Sequence, residues 1–366
     1  MSVDVEVRTQ IRKGLMIALM GLLIVVMRAA PARAQHGDYL LGTAGLLAAQ
    51  QPPEGLLYQN LWSYYWVHDA GFLDPSRVVC GRRGDLCASA ALNARGSLDM
   101  FVDQNIFWLV TPFKVPYLNA TYGAMMDVPF AIVDASGSGS IEPNLSFDGL
   151  RRNASTAGPT LSNSGGVTKG SIGDIYFEPI DLGWHFKHLD MLTTGAFMAP
   201  TGPYNADAKI NIGYGHWSGI LGLGGIIYPD EERQWSLSVL AHYEMYSSQD
   251  GRPYVLGDQV PFEWGVGKTF NLPSRIFKQL TIGPVGYAQW QTTDNQIQVN
   301  TNTPVGNSLK HALMEANSEV YSAGPSAQLL TTFGLFDVRY YNEFGANATP
   351  SGQQLMFSVT LAGKPW

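Results

Sequence analysis

The chain has 366 residues, and its composition already excludes several classes of protein. Only 14% of the residues are charged, whereas glycine (40 residues) and aromatic side chains (11%) are abundant, a balance typical of barrels and sandwiches made of short strands. The formal net charge of −7 argues against a nucleic-acid partner, because a nucleic-acid-binding surface needs clustered lysine and arginine.

Residues 1–34 have the pattern of a secretory signal peptide. Arg12 and Lys13 precede an apolar run at residues 14–27, and Ala32-Arg33-Ala34 offers small side chains at the cleavage positions. The run is shorter than the roughly 20 residues that a membrane-spanning helix needs, although an uncleaved anchor is the alternative. We therefore expect an exported chain whose mature part starts at Gln35.

The stretch that follows, residues 35–54, is rich in glycine, alanine and leucine and ends at Pro52-Pro53. It has no strand-like alternation, in contrast to residues 55–366. We predict that it is an N-terminal lead-in, and a candidate plug, for a β-domain that begins at residue 55.

The chain contains two cysteines, Cys80 and Cys87. An exported protein is in an oxidising compartment, where this spacing allows a small disulfide loop. Two thiolates are only half of the four ligands of a closed zinc site, so a metal is the weaker interpretation. We predict a disulfide and no metal or other cofactor.

Twelve segments have the alternation or the aromatic density of β-strands. In order they are residues 55–67, 95–112, 117–134, 170–186, 191–200, 211–227, 235–246, 258–270, 279–291, 318–332, 335–344 and 353–362. The clearest is 235–246, in which Leu237 and Val239 lie on one face and His242 and Glu244 on the other. Such alternation predicts strands with one apolar and one polar face.

The connections between these segments alternate in length. Those at residues 112–116, 187–190, 229–233, 271–278 and 333–334 are short, and most of the others are longer, above all 68–94 and 135–170, which are predicted as loops. Bacterial outer-membrane barrels have this asymmetry, with short periplasmic turns and longer outer loops. The fold class predicted is all-β, a transmembrane antiparallel up-and-down β-barrel of about 12 strands; an exported soluble β-protein is the alternative.

If the sheet closes in lipid, the polar face of each strand lines the lumen. The lumen-lining and selectivity residues predicted on this basis are Asp174, Tyr176, Glu178, His242, Glu244, Glu263, Asp337, Arg339, Tyr341 and Glu343. They either form a polar constriction that selects solutes or simply pair with one another and fill a narrow bore.

The sequence does not favour an enzyme. His242 and Glu244 lie two residues apart on a strand, at about 6 to 7 Å along the backbone, which is poorly suited to a proton relay. No G-x-S-x-G motif with strand and helix context is present. His185 and His188 fall at a predicted turn, so we expect them at the barrel rim rather than at a metal.

Several motifs, taken in order, carry a family resemblance. They are Pro52-Pro53-Glu54-Gly55, Gly173-Asp174-Ile175-Tyr176-Phe177-Glu178-Pro179, Gly183-Trp184-His185, Ala199-Pro200-Thr201-Gly202-Pro203-Tyr204, Gly257-Asp258 with Gly265-Val266-Gly267-Lys268, and Arg339-Tyr340-Tyr341-Asn342-Glu343-Phe344. With them the chain resembles the bacterial outer-membrane proteins named for the meta-pathway of phenol degradation, which are described as transporters. The resemblance implies a barrel that handles aromatic or other hydrophobic compounds.

The function predicted is that of a monomeric outer-membrane channel for passive uptake of small hydrophobic or aromatic compounds. Its partners would be outer-membrane lipid and the solute itself. The alternative is a structural or adhesive barrel that binds partners through its long outer loops.

Overall fold

The computed structural model describes residues 37–73, 77–80, 86–149, 152–157, 161–208, 210–252, 254–297, 318–347, 349 and 351–363, with the side chains of 68–95 and 138–164 excepted. The predicted signal peptide, residues 1–34, lies outside the described residues. Within these ranges no helix is both long and apolar enough to cross a membrane.

The described residues form one short 3₁₀ helix, Gly45–Leu47, and 17 strands. The strands are β1 Gly55–Leu73, β2 Arg77–Cys80, β3 Leu86–Val115, β4 Ala120–Gly149, β5 Arg152–Ala157, β6 Leu161–Ile172, β7 Ile175–His185, β8 Leu189–Ala199, β9 Ser218–Ile227, β10 Trp235–Tyr246, β11 Tyr254–Val255, β12 Gln259–Asn271, β13 Phe277–Gln291, β14 Gln296–Ile297, β15 Glu319–Thr331, β16 Leu335–Asn347 and β17 Gln353–Ala362.

Twelve of these strands close into an antiparallel barrel. The order around the ring is β1, β3, β4, β7, β8, β9, β10, β12, β13, β15, β16 and β17. The ring is sealed by β17 pairing with β1, from Leu57 opposite Ala362 to Trp66 opposite Gln353. Closure leaves no unpaired strand edge in the ring, which is the condition for a sheet to sit in lipid. The predicted 12-stranded up-and-down barrel is confirmed.

Side chains alternate between the outside and the inside of the barrel at each step along a strand. In β10, Leu237 and Val239 are each 46% exposed, whereas Ser238 and His242 are 2% and 4% exposed. The outward residues are therefore apolar and the buried ones include polar groups, the reverse of a soluble sandwich. The outer surface is a lipid-facing band, and the chain is a bacterial outer-membrane barrel.

Aromatic pairs reinforce the outer surface across neighbouring strands. Trp62 of β1 stacks on Phe357 of β17 with ring centroids 5.3 Å apart, and Trp290 of β13 meets Tyr321 of β15 at 5.9 Å. The Trp290 indole N–H also donates to the Tyr321 hydroxyl at 3.0 Å. Amphipathic rings of this kind are the usual anchors of a barrel at the membrane interface.

The short turns all lie at one end of the barrel, and the turn between β9 and β10 shows how one of them is held. Arg233 adopts φ 52° and places its guanidinium 4.3 Å from the Tyr228 ring, within 3.3 Å of the Asp190 carboxylate. The backbone N–H groups of Trp235 and Gln234 donate to Asp230 and lower its pKa. These contacts tie this turn to the start of β8.

At the other end of the barrel, the prediction of two long loops, 68–94 and 135–170, is wrong. The predicted loop 68–94 contains the end of β1, all of β2 and the start of β3, and the predicted loop 135–170 contains the end of β4, all of β5 and most of β6. β3 and β4 pair continuously beyond the ring, from Leu98 opposite Ala135 to Leu86 opposite Phe147. Serine and glycine are weak strand formers, but an adjacent strand that satisfies each backbone group overrides that preference.

The reverse error occurs at β9. The predicted strand 211–227 begins only at Ser218, because His216 and the residues before it turn inward.

Gly324 of β15 shows how closely adjacent strands of the barrel approach. A Cβ at this position would lie 1.7 Å from the carbonyl oxygen of Tyr340 on β16. We predict that Gly324→Ala lowers the free energy of unfolding by about 1–3 kcal/mol, because the displaced neighbour is backbone and cannot rotate away. The measurement is the midpoint temperature at which the folded, fast-migrating band is lost in heat-modifiable gel electrophoresis.

The matched control is Gly219→Ala in β9, whose Cβ would meet only Met245 Cε at an ordinary 3.7 Å. Equal midpoints for the two variants would contradict the close approach at Gly324.

Candidate functional site

Residues 37–54 are called here the N-terminal segment. Residues 37–49 lie buried or half-buried inside the barrel, whereas Pro53 and Glu54 are exposed. Leu41, Leu46 and Ala49 are 0%, 1% and 1% exposed. The segment runs along the bore: Asp38 lies near the long-loop end, 3.1 Å from His216 Nε2, and Gln51 lies near the short-turn end, where its Nε2 donates to Asp181 at 2.8 Å. It therefore occupies lumen that the strands alone would leave open.

Carboxylates of the barrel wall hold the backbone of the N-terminal segment. Glu244 of β10 accepts the N–H groups of Asp38 and Tyr39, each at 3.1 Å. Glu263 of β12 accepts the N–H of Ala44 at 3.0 Å. Charged acceptors make the stronger class of hydrogen bond, so these contacts determine where the segment lies.

The opposite partner is the guanidinium of Arg339 on β16. It donates to the carbonyl oxygen of Gly42 at 2.8 Å and to that of Thr43, and the Tyr341 hydroxyl donates to Gly42 at 3.1 Å. Arg339 is also paired with Asp337 two residues away. The segment is thus bound through its backbone donors on one side and its backbone acceptors on the other.

A second buried network surrounds Glu343 on β16. Its carboxylate accepts the hydroxyls of Tyr65 and Tyr287, at 2.8 and 2.7 Å, and the N–H of Gly352 at 2.7 Å. This group belongs to the wall, where it links β1, β13 and β16. The Glu343 network is structural in this geometry.

All ten residues predicted to face the lumen are buried inside the barrel: Asp174, Tyr176, Glu178, His242, Glu244, Glu263, Asp337, Arg339, Tyr341 and Glu343. Asp174 differs in one respect, since it lies in the break between β6 and β7 and not within a strand. There it accepts the N–H groups of Gly202 and Tyr214, at 2.7 and 2.6 Å, and so ties the outer loop to the barrel mouth.

Beside the N-terminal segment runs a cavity of about 430 Å³, called here the tunnel. It extends from Tyr204 and Gln249 near the long loops to Pro53 and Leu335 near the short turns. Its volume is within the range of small-molecule sites. The tunnel is lined mainly by β3, β4 and β7, and Glu343 is not among its lining residues.

The tunnel separates the ten predicted residues into two groups. Five of them line it: Asp174, Tyr176, Glu178, His242 and Arg339. The other five, which are Glu244, Glu263, Asp337, Tyr341 and Glu343, bind the N-terminal segment or the wall. The first group borders the tunnel and the second is engaged in hydrogen bonds within the barrel, so selection of solutes by the first group stays a prediction.

The lining of the tunnel contains both apolar and polar side chains. On β3 and β4 the lining is mainly apolar, with Val102, Ile106, Met125 and Val133 among its side chains. A polar stripe crosses it, and its members are Gln104, Asp127, Glu178, Asp181 and His242. An amphipathic solute could lie with its apolar part on the first surface and its polar group on the second.

Sequence reasoning missed Asp181 because of a bulge. Asp174, Tyr176 and Glu178 have even numbers, but the register of β7 against β8 shifts between Phe177 and Ile180, next to Pro179. A bulge inverts the side-chain parity, so Asp181 faces inward although it has an odd number. Proline inside a strand was the available signal, because it cannot donate a ladder hydrogen bond.

Gln104 and Asp127 were missed for a different reason. Their strands were predicted, but both carry apolar residues on each face, so the inward face has no clear polar signature. Only the register between β3 and β4, with Gln104 opposite Pro129 and Ile106 opposite Asp127, brings the two side chains together.

The predicted disulfide lies outside this site. The backbone register places Cys80 of β2 opposite Cys87 of β3, but both side chains lie outside the described part, so the disulfide stays a prediction. Among the described residues no group of three or more histidine, cysteine or acidic side chains could hold a metal ion.

Comparison with known proteins supports the fold. A sequence profile of the family described as "Putative MetA-pathway of phenol degradation" matches residues 85–359. The COG4313 outer membrane channel from Pseudomonas putida F1 superposes with a TM-score of 0.52 at 13% identity, over 88% of this chain and 99% of that chain. A Pseudomonas aeruginosa FadL homologue superposes less well, with a TM-score of 0.32 at 11% identity, over 85% of this chain and 91% of that chain. No curated protein matches the chain significantly.

Proposed function

The chain belongs to the family described as "Putative MetA-pathway of phenol degradation", and on that premise we propose that it is a channel for passive uptake of small hydrophobic or aromatic compounds across the outer membrane. The observation that carries the proposal is the tunnel, about 430 Å³ in volume, with a mainly apolar surface on β3 and β4. It fits a single-ring solute, and its ends lie towards the two ends of the barrel.

The mechanism proposed needs no chemistry from the protein. A solute moves down its gradient from the long-loop end to the short-turn end, partitioning onto Val102, Met125 and the neighbouring apolar side chains. His242 packs against the ring of Tyr39 with the ring centroids 4.3 Å apart, and its Nδ1 has no hydrogen-bond partner among the described residues. This arrangement supports a non-enzymatic role.

The alternative role, a structural or adhesive barrel, draws support from the β3–β4 hairpin that continues beyond the ring to Leu86 and Phe147. A projecting hairpin could bind a partner without any solute passing. An adhesive barrel would keep its partner binding when the tunnel is filled, whereas a channel would lose its flux.

The test is uptake of a small aromatic compound by cells that lack their general porins and express this chain. Ala131 of β4 faces the tunnel, so Ala131→Trp is expected to reduce the uptake by at least about tenfold, since a cavity of about 430 Å³ has little room for a solute beside an added indole. Unchanged uptake would reject the tunnel as the route.

The matched control is Ile132→Trp. Ile132 is the next residue of the same strand but points outward and is 41% exposed, so the same indole would meet lipid and leave uptake unchanged.

A further inference from the structure

We propose that the tunnel contains a recognition site for the hydrogen-bond-donating head group of an amphipathic ring compound, formed by Gln104 and Asp127. The site favours cationic and neutral donors and discriminates against carboxylates. This inference rests on the proposed function, because it names the class of solute that the same tunnel accepts.

The two residues form a side-by-side polar pair on neighbouring strands. Gln104 of β3 and Asp127 of β4 are 7% and 5% exposed, and the Gln104 Nε2 donates to Asp127 Oδ2 at 2.5 Å. Both side chains line the tunnel. Among the described residues, neither Gln104 Oε1 nor Asp127 Oδ1 has a hydrogen-bond partner.

The two free atoms have the same chemistry, which decides what can occupy the site. The amide oxygen of Gln104 and the carboxylate oxygen of Asp127 are both acceptors. Buried acceptors need a donor, and the Gln104 N–H that points at Asp127 is already used. One N–H of Gln104 remains beside the two acceptors, so an occupant that supplies N–H or O–H groups satisfies more of the site than one that only accepts.

The surroundings of the pair describe the rest of the ligand. Val102 and Ile106 are the neighbours of Gln104 on the inward face of β3, and Met125 precedes Asp127 on the inward face of β4. Their apolar side chains flank the polar pair in the tunnel. A ring with one donor group fits this arrangement better than a sugar, whose hydroxyls surround its ring.

The charge inside the barrel disfavours anions. Ten carboxylates are buried among the described residues: Asp38, Asp127, Asp174, Glu178, Asp181, Asp190, Glu244, Glu263, Asp337 and Glu343. The one buried arginine in that part of the chain, Arg339, is already engaged by Asp337 and by the N-terminal segment. Arg252, at the long-loop end of the tunnel, donates to the Ala206 carbonyl.

The experiment measures binding of three ligands with one ring, benzylammonium, benzyl alcohol and benzoate, to the purified full-length barrel in detergent by calorimetry at about pH 8.5, where carboxylates are ionised and the benzylic amine is still mostly protonated. Benzylammonium is expected to bind most tightly and benzoate at least about tenfold more weakly, because like charges repel and the acceptors stay unpaired. Equal affinities, or tightest binding of benzoate, would overturn the proposal.

The variant is Asp127→Asn, which keeps the shape and one acceptor oxygen but removes the charge. Binding of benzylammonium should weaken by about tenfold, since charge-assisted hydrogen bonds are roughly twice as strong as neutral ones, whereas benzyl alcohol should change by less than about threefold. The matched control, Asp103→Asn, removes a carboxylate from the outward face of the neighbouring strand β3, where it accepts from Asn60. An equal loss in both variants would overturn the proposal.

Binding and transport are read separately, so the two proposals can fail independently. If the ligand order is found but Ala131→Trp leaves uptake intact, the recognition site stands and the tunnel is not the route. If uptake depends on the tunnel but the three ligands bind alike, the channel stands and the Gln104–Asp127 site is rejected. If a variant does not fold, the ligand order in the unaltered protein still decides.

Discussion

Deletion of residues 37–50, with residues 1–36 retained for export, is expected to raise the single-channel conductance of the barrel by on the order of tenfold, because the N-terminal segment fills most of a bore that 12 strands would otherwise leave partly open. Leu41, Leu46 and Ala49 are fully buried there, and the tunnel is what remains beside them. The measurement is conductance in planar bilayers, with the unaltered chain recorded in parallel.

Replacing the same 14 residues with a glycine–serine linker of equal length distinguishes the bulk of the backbone from the bound side chains of the segment. Such a linker behaves as a flexible coil. The linker lacks the side chains of the segment, so it should give a noisy conductance between those of the unaltered and the deleted chains. A conductance that is the same in all three would mean that the segment does not obstruct the bore.

Replacement of Arg339 by methionine should have the largest effect of any single substitution on stability. The change leaves the buried carboxylates of Asp337 and Glu263 without their cation and removes the guanidinium donor from the carbonyls of Gly42 and Thr43. Breaking a buried charge pair costs about 3–5 kcal/mol, so we expect a clear fall in the midpoint of heat-modifiable gel mobility. Because the N-terminal segment also loses an anchor, the conductance should fluctuate more.

The double variant Arg339→Met with Asp337→Leu is the control for this result. It removes both partners of the ion pair, and replacing a buried pair by apolar groups is often close to neutral. It should therefore recover a large part of the midpoint while the conductance stays unsteady. A single variant as stable as the unaltered protein would show that Arg339 is not needed to compensate the buried carboxylates.

The sequence alternation in β10 and β16 correctly predicted which side chains face lipid and which face the lumen. Leu237 and Val239 alternate with His242 and Glu244, and lipid outside with polar groups inside requires that period of two. The same rule failed in β7 after Glu178, because a bulge beside Pro179 reversed the faces and brought Asp181 inward. Periodicity predicts a face only until the register shifts.

The position of residues 37–54 shows a second limit. Their composition suggested a lead-in without strands, and nothing local could show that Glu244, Glu263 and Arg339, some 200 to 300 residues later, would bind their backbone. Those contacts exist only when the ring is closed. For the same reason the split of the predicted lumen residues into a tunnel group and an anchoring group was not visible in the sequence.

Local alternation and motif order were sufficient to predict the fold class, the strand number, the two faces of most strands and the family. Which polar groups meet depends instead on the register and closure of the barrel. Gln104 and Asp127 become a pair through the register of β3 against β4, and the tunnel exists because the N-terminal segment leaves one side of the bore uncovered. Hydrogen bonds between distant residues depend on closure of the barrel, and closure is not a local property.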